Sequence, residues 1–210
     1  MTEHVPPIIS LQGAQKTYRG NKVVEIEALD LRQGEAVLIW GSNASGKSTL
    51  LRILAGATSL TQGTRALDPA FRKSCLLFLP QTGGLYEDLS IHQNLIILSR
   101  LHNRTPDESP FVELLRNVSS RDLDKPLRTL SGGMQRIFSV AAMLSLRPEM
   151  LFLDEPFGGL DPENRAHLYD VLSDVGANTP LLVITEHHRD GIGKGWRQVG
   201  MANGRIEDAS

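Results

Sequence analysis

One short polar stretch with two glycines constrains the fold of this chain more than any other feature. Residues 41–49 read GSNASGKST, with an apolar run at 36–39 before them and a helix-like segment at 50–55 after them. A strand, a glycine-bearing loop that ends in Lys-Ser-Thr, and a helix in this order are typical of a phosphate-binding loop, or P-loop. Gly41 and Gly46 allow a tight turn that points backbone N–H groups at one anion. The stretch therefore predicts an α/β fold that binds a nucleoside triphosphate.

Two side chains of this loop have the chemistry that a triphosphate needs. Lys47 supplies a positive charge for the β- and γ-phosphates, and the Ser48 hydroxyl can ligate Mg²⁺. A chance match in an ordinary glycine turn is the alternative, and the flanking strand and helix argue against it. The expected nucleotide-binding residues are Gly41, Ser42, Asn43, Ala44, Ser45, Gly46, Lys47, Ser48 and Thr49.

Composition and charge narrow the class of protein. The 210 residues suit one domain, or one domain with a subdomain. The 22 basic and 24 acidic residues are interspersed and give a formal net charge of −2, so we expect no nucleic-acid partner. Cys75 is the only cysteine, which excludes an internal disulfide, and its apolar neighbours favour a buried strand position. Without a signal peptide or an apolar run near the ~20 residues that span a bilayer, we expect a soluble, cytosolic chain.

Apolar runs and cap residues predict alternating strands and helices. Strands are expected at 8–11, 23–29, 36–39, 64–67, 74–79, 150–154 and 181–184, with a terminal hairpin at 198–201 and 205–207. Helices are expected after Lys47, from Ser90, around 111–117, from Ser131 to about Leu146, and from Asp161. This order predicts a mostly parallel α/β core sheet with an N-terminal antiparallel β-subdomain. We expect a helical subdomain, inserted at about residues 82–148, within a single domain that spans 1–210.

A second glycine motif lies in the middle of the chain. Residues 130–136 place Ser131, Gly132 and Gly133 at a helix start, which is another arrangement that binds anions. One nucleotide site does not need two such arrangements. We therefore expect these three residues to contact the nucleotide held by another copy of the chain; a simple loop with a helix cap is the alternative.

An acidic pair ends the apolar strand expected at 150–154. Asp154 can hold Mg²⁺, and Glu155 is placed to polarise a water molecule for attack on the γ-phosphate. A surface acidic pair at a strand end is the alternative, but ligands collect at the carboxyl ends of buried parallel strands. We expect Asp154 to be a metal ligand and Glu155 to be the catalytic base.

Taken together, these motifs resemble the nucleotide-binding domain of ATP-binding cassette (ABC) ATPases over nearly the whole chain. Four motifs follow the family's order: Walker A at 41–49, the signature at 130–135, Walker B at 151–155 and a D-loop at 159–161. By position, the resemblance implies that Tyr18 stacks on adenine. It also implies that Gln81 is the Q-loop glutamine, a metal ligand and catalytic residue, and that His187 is the catalytic switch histidine that senses the γ-phosphate.

The chain departs from the usual family pattern in three places. Ala44 stands where glycine is commonest in Walker A, so a methyl group is added where the backbone can require a positive φ. Phe-Gly at 157–158 replaces the small or hydroxyl residues usual before the D-loop. Glu186 is an extra residue before the histidine, so the switch role falls to His187 or His188, and the spacing to the preceding strand favours His187.

The resemblance implies an enzyme that hydrolyses ATP with Mg²⁺. It implies a head-to-tail dimer, formed with a second copy or a paralogous ABC subunit, in which each nucleotide lies between one P-loop and Ser131, Gly132 and Gly133 of the other subunit. Such a dimer would be the ATP-binding subunit of a multi-component ABC transporter. It would lie in the cytoplasm, peripheral to the inner face of the cell membrane, and drive a separate integral membrane permease.

Four points stay open at this stage. The compact length and the signature wording, LSGGMQR, favour export over import. Residues 81–89 and the helix from Ser90 are expected to form the permease groove, with a plain surface loop as the alternative. The rival function is a soluble ABC ATPase that remodels a protein assembly, for example in iron–sulfur cluster building. The transported substrate is not encoded here, because its contacts would lie in another chain.

Overall fold

The strands of the chain form two separate sheets. The computed structural model describes residues 6–107, 109–114, 123–189 and 195–207. Its strands, in chain order, are β1 (Ile9–Tyr18), β2 (Asn21–Leu31), β3 (Glu35–Trp40), β4 (Gln62–Leu67), β5 (Leu76–Leu79), β6 (Met150–Asp154), β7 (Leu181–Glu186), β8 (Arg197–Ala202) and β9 (Arg205–Glu207). The smaller sheet is antiparallel with the order β2-β1-β4. The larger sheet has the order β5-β6-β7-β3-β8-β9 and is parallel except at β8–β9.

The helices are inserted between strands in the order that the sequence predicts. They are α1 (Lys47–Leu54), α2 (Ile91–His102), α3 (Ser109–Leu114), α4 (Gly132–Ser145) and α5 (Pro162–Asn178), with 3₁₀ turns at Pro69–Phe71 and Leu127–Thr129. A P-loop core with a mostly parallel sheet and a separate antiparallel sheet is thus confirmed. Helices α2, α3 and α4 all lie between β5 and β6, and the boundaries of the helical subdomain stay a prediction. The helix expected around 111–117 is described to Leu114, and its last three residues lie outside the described ranges.

The helix starts follow from the cap residues that the sequence supplies. Ser90 Oγ accepts from the backbone N–H of Gln93 at 3.3 Å, and the Gln93 side chain accepts from Ser90 N at 2.9 Å, which completes a capping box. Ser131 caps α4 through the N–H of Met134, and Asp161 caps α5 with proline at its first position. These helix starts are as expected from the sequence.

The large sheet is covered on both faces, as its continuous apolar runs predict. Every residue of β6 and β7 is buried. One face packs against α4 and α5, with Phe138 and Leu172 at the contact, and the other face packs against α1 and the antiparallel sheet, with Leu51 at the contact. Parallel strands buried on both faces leave only their ends accessible, so a site has to lie at an edge of the sheet. Within the described residues, no helix has both the length and the apolar character needed to cross a membrane.

The loop between β3 and α1 requires its glycines. Gly46, just before α1, has φ 101°, and a Cβ there would lie 2.6 Å from the carbonyl oxygen of Val23. A Cβ on Gly41 would collide with the carbonyl oxygen of Met201. Ala44 has φ 62°, so the backbone does need a positive φ where this chain carries alanine. The methyl group of Ala44 is therefore held in the left-handed region that L-residues disfavour.

We expect Ala44→Gly to stabilise the fold. Relief of the left-handed strain is worth about 1–2 kcal/mol, and the greater freedom of glycine in the unfolded chain offsets about 0.5–1 kcal/mol of it. The net gain of roughly 0.5–1 kcal/mol corresponds to a rise in Tm of about 1–4 °C in thermal unfolding. Ala66→Gly, at an exposed strand position without a positive φ, is the control and should lower Tm. An equal fall in Tm in Ala44→Gly and Ala66→Gly would contradict backbone strain at Ala44.

Candidate active site

The P-loop and three of the expected catalytic residues converge at the sheet edge where β3, β5, β6 and β7 end. A cavity of about 570 Å³ lies there. It is lined by Val23, by residues 43–49 of the P-loop, and by Gln81, Glu155 and His187. The parallel strands end at the same edge, and this brings the P-loop, Gln81, Glu155 and His187 from four distant parts of the sequence into one space.

Lys47 lies folded back over the P-loop with its ammonium group buried. Nζ donates to the carbonyl oxygens of Gly41 at 2.8 Å and Ser42 at 3.0 Å, and the residue is 4% exposed. Burial lowers the pKa of Lys47, and the negative charge of nearby acidic side chains opposes that shift. Within the described residues, the Lys47 ammonium group donates to these two carbonyl oxygens and forms no ion pair, so it can exchange them for phosphate oxygens.

Asp154 is buried at the end of β6, and only one of its two carboxylate oxygens accepts hydrogen bonds from the described residues. Oδ1 accepts from the Ser48 hydroxyl at 2.9 Å and from the Thr185 hydroxyl at 2.6 Å. Oδ2 is buried and has no hydrogen-bond partner in the described part of the chain. A carboxylate beside a hydroxyl is an oxygen donor set that suits Mg²⁺, and the free Oδ2 gives that set an available ligand atom. The residues present therefore fit a magnesium ion.

Glu155 faces the cavity in an unusual backbone conformation. Its φ is 52°, and its N–H donates to both the carbonyl and the hydroxyl oxygen of Thr185, at 3.2 and 3.1 Å. Gln81 Nε2 donates to Glu155 Oε2 at 2.6 Å, and His187 Nε2 lies 3.0 Å from the same oxygen. No hydrogen bond to Oε1 is made by the described residues. The three residues that the motifs single out for catalysis are thus in direct contact, and one carboxylate oxygen is left for another partner.

The sequence reasoning missed Arg136, which joins three parts of the site. It lies on α4 and is 7% exposed. Nη1 donates to the carbonyl oxygen of Pro80 at 2.7 Å, next to Gln81, and Nη2 donates to the carbonyl oxygen of Asp154. Burial lowers the pKa of Arg136, and nearby acidic side chains oppose the shift. The sequence signal that could have indicated this role is a charged residue directly before a mostly apolar helical run.

Glu186 was also missed, because the sequence showed it only as an extra residue beside the histidine. It is 5% exposed, and its Oε1 accepts from the backbone N–H of Phe157 at 3.2 Å. Its carbonyl oxygen accepts from Gly41 N at 3.2 Å. Burial raises the pKa of Glu186. This residue therefore connects the start of the P-loop with the segment that leads to the D-loop.

The signature residues lie apart from the P-loop cavity of the same chain. Ser131 and Gly132 are exposed at the start of α4, and neither they nor Gly133 line the cavity. A Cβ on Gly133 would lie 3.0 Å from the carbonyl oxygen of Gly159, so the signature packs against the D-loop. Contact between these three residues and a nucleotide stays a prediction that needs a second chain.

Two other assignments stay predictions with different geometric support. Tyr18 ends β1 with 43% exposure and the Lys16 ammonium group 5.0 Å from its ring centroid, but it is not among the residues that line the cavity. His187 lines the cavity, whereas His188 is exposed and does not. The structure therefore supports His187 over His188 and leaves the adenine contact of Tyr18 to be tested.

Comparison with known proteins gives consistent matches over most of the chain. The family model described as "ABC transporter" matches residues 25–158. A daunorubicin resistance ATP-binding protein, DrrA3 of Streptomyces coeruleorubidus, is 35% identical over 85% of this chain and 60% of its own. A Nod factor export ATP-binding protein I of Ralstonia nicotianae is 32% identical over 86% of this chain and 60% of its own. A relative named for Fe(3+) ions import, FbpC of Fusobacterium nucleatum, is 28% identical over 95% of this chain and 57% of its own.

A solved structure supports the fold. The dimeric ATP-binding cassette MJ0796, bound to ADP and Pi, has a TM-score of 0.83 at 22% identity and covers 95% of this chain and 96% of that one. The chain spans between 57% and 60% of the length of these three curated relatives. Because the family model covers more than half of its residues and its site has the family's motifs in order, the chain belongs to the ABC transporter family, whose ATP-binding proteins are ATP-hydrolysing enzymes.

Proposed function

We propose that this chain binds and hydrolyses ATP as the ATP-binding subunit of a multi-component ABC transporter. The observation that carries the proposal is the contact of Gln81 and His187 with one oxygen of Glu155 beside the P-loop. A glutamine and a histidine on a carboxylate, next to a phosphate-binding loop, form the arrangement that water activation requires. The relatives named for export and drug resistance support the transport assignment.

The P-loop side of the cavity binds the triphosphate. Lys47 exchanges its carbonyl partners for β- and γ-phosphate oxygens, and the start of α1 adds backbone N–H groups and a positive helix end. Ser48 and Asp154 would hold Mg²⁺, with Gln81 as the further ligand that the family resemblance implies. When bound, the ion neutralises part of the charge on the β- and γ-phosphates.

Glu155 is the proposed general base. A water oxygen forms a bond to the γ-phosphorus, the bond from that phosphorus to the ADP oxygen breaks, and the Glu155 carboxylate accepts the proton that the water loses. Gln81 and His187 hold Oε2, so the carboxylate is presented in one orientation. Positioning and charge neutralisation supply most of the rate in such a reaction, because the protein makes no covalent bond.

The second half of the nucleotide site would come from another subunit. Ser131 and Gly132 are exposed at a helix start, where backbone N–H groups bind anions, yet they do not line the cavity of their own chain. A second copy, or a paralogous subunit, placed head to tail would set its Ser131, Gly132 and Gly133 against the bound triphosphate. Dimerisation on ATP binding and separation after hydrolysis would then provide the mechanical step.

The permease would dock beside the Q-loop. A groove of about 240 Å³ there is lined by Gln81, Leu85 and Leu127, together with residues of the first turns of α4. Tyr86, next to Leu85 in the chain, is 60% exposed, and buried Asn94 fixes this segment by accepting from Tyr86 N at 2.7 Å. An exposed aromatic on a held loop suits a protein contact. Docking would place the chain in the cytoplasm at the inner face of the membrane.

We favour export as the direction of transport, because one relative is named for Nod factor export, although another is named for import.

We expect Glu155→Gln to abolish turnover while keeping the nucleotide bound. Loss of the base should reduce phosphate release by at least about 100-fold, and the variant should accumulate as a dimer in Mg-ATP. Phosphate release and light scattering after size exclusion measure the two effects. Glu27→Gln, exposed on the antiparallel sheet, is the control with unchanged turnover. Undiminished phosphate release by the Glu155 variant refutes its role as the base.

We expect Lys47→Ala to weaken ATP binding. Loss of charge-assisted hydrogen bonds worth about 1.5–3 kcal/mol should raise the Kd for ATP roughly 10–100-fold in isothermal titration calorimetry. The control is Lys73→Ala, an exposed lysine outside the cavity, which should bind ATP like the unaltered chain. An unchanged Kd in the Lys47 variant would show that the cavity is not the ATP site.

A pull-down with the full chain separates the transport function from its rival. We expect an integral membrane protein to be recovered from detergent-solubilised membranes of the source cell, and mass spectrometry identifies it. Recovery of a soluble assembly alone, with no integral membrane protein, would contradict the transport function and favour a remodelling ATPase.

A further inference from the structure

Thr185 occupies a position that no motif assigned. It is the next-to-last residue of β7, two residues before His187, and it is fully buried at 0% exposure. Its hydroxyl makes two hydrogen bonds, to Asp154 Oδ1 at 2.6 Å and to Glu155 N at 3.1 Å. One hydroxyl therefore contacts both the proposed metal ligand and the residue that carries the proposed base.

The direction of these two bonds is fixed by chemistry. A backbone N–H can only donate, so the Thr185 oxygen accepts from Glu155. The single hydroxyl proton is then left for Asp154, whose Oδ1 accepts it. A hydroxyl is needed at this position, because a methyl group in its place could neither donate to Asp154 nor accept from Glu155.

At Asp154, the hydroxyl selects which oxygen stays available. Thr185 and Ser48 both donate to Oδ1, and Oδ2 is buried without a partner among the described residues. A partial rotation of the carboxylate would take its oxygen away from both donors and is disfavoured for that reason. Ser48 belongs to the proposed metal-ligand set, whereas Thr185 does not. The task of Thr185 at this carboxylate is thus to hold it.

At Glu155, the hydroxyl supports a strained backbone. A φ of 52° is a left-handed conformation that residues other than glycine disfavour, so it persists only where the surroundings hold it. The Glu155 N–H is shared between the carbonyl and the hydroxyl oxygen of Thr185. These bonds fix the turn that points the Glu155 side chain at Gln81 and His187.

We propose that Thr185 is a positioning residue for ATP hydrolysis, holding Asp154 toward Mg²⁺ and Glu155 toward the attacking water through one hydroxyl group. This inference rests on the proposed ATPase function. It predicts that a hydroxyl, and not the shape of threonine, is what the position requires. Serine should therefore replace threonine with little loss, and isosteric valine should not.

The test compares ATP binding with and without the metal. In isothermal titration calorimetry with Mg²⁺, the affinity of Thr185→Val for ATP should fall about 10–100-fold, because a metal ligand has lost a hydrogen-bond partner. In EDTA, the same variant should keep the ATP affinity of the unaltered chain. Its kcat should fall as well, because Glu155 loses a positioning bond. Thr185→Ser should stay within about threefold of the unaltered chain in all three measurements, a range set by retention of the same hydrogen bonds.

Ser145→Ala is the matched control. Ser145 is equally buried, and its hydroxyl donates to the carbonyl oxygen of Ala141 within α4, away from the cavity. Ser145→Ala should therefore bind ATP like the unaltered chain, both in Mg²⁺ and in EDTA. Should Thr185→Val fail to fold, Thr185→Cys, with a weak thiol donor, takes its place and should show a smaller loss of the same kind.

Two results overturn the inference. One is Mg-ATP affinity in Thr185→Val equal to that of the unaltered chain; the other is an equal loss with and without Mg²⁺, which would indicate general damage to the site. An unaltered chain that binds no ATP in either condition would instead contradict the proposed function itself.

Discussion

The buried carboxylate of Asp154 is the charge around which this site is built. It lies at the end of a strand that is covered on both faces, at 0% exposure. A buried carboxylate costs several kcal/mol unless hydrogen bonds and opposite charge compensate it. The chain meets this demand with hydroxyl donors from α1 and β7 on its side chain and with the Arg136 guanidinium on its backbone carbonyl. The hydrogen bonds to this one residue therefore link β6 to α1, α4 and β7.

The same contacts link the two halves of the proposed nucleotide site. Arg136 lies five residues after Ser131 on α4, and it binds the backbone next to Gln81 and at Asp154. The helix that would contact the nucleotide of a second subunit is thus bonded to the strand and loop that contact the chain's own nucleotide. A shift of α4 on dimerisation would act on the Q-loop and on Walker B directly, through the hydrogen bonds of Arg136.

Local signals made most of the fold predictable. Continuous apolar runs identified β6 and β7, Ser90, Ser131 and Asp161 identified three helix starts, and the P-loop identified the cavity edge. The roles of Thr185, Glu186 and Arg136 could not be predicted in the same way. Their partners are between 18 and 145 residues away in the sequence, and it is the pairing of parallel strands, with α4 packed on the sheet, that brings them together. Ala44 is the intermediate case, because the motif suggested a positive φ and the backbone angle then established it.

A crystal structure of the full chain with Mg²⁺ and a non-hydrolysable ATP analogue tests the central claim most directly. The claim is that Asp154, Glu155 and the P-loop form one half of an ATP site and that a second subunit completes it. The expected result is a triphosphate on Lys47 of one copy and on Ser131 of the other, with the metal ion at Ser48 and Asp154. A triphosphate enclosed by a single copy, or a metal ion away from Asp154, would contradict the claim.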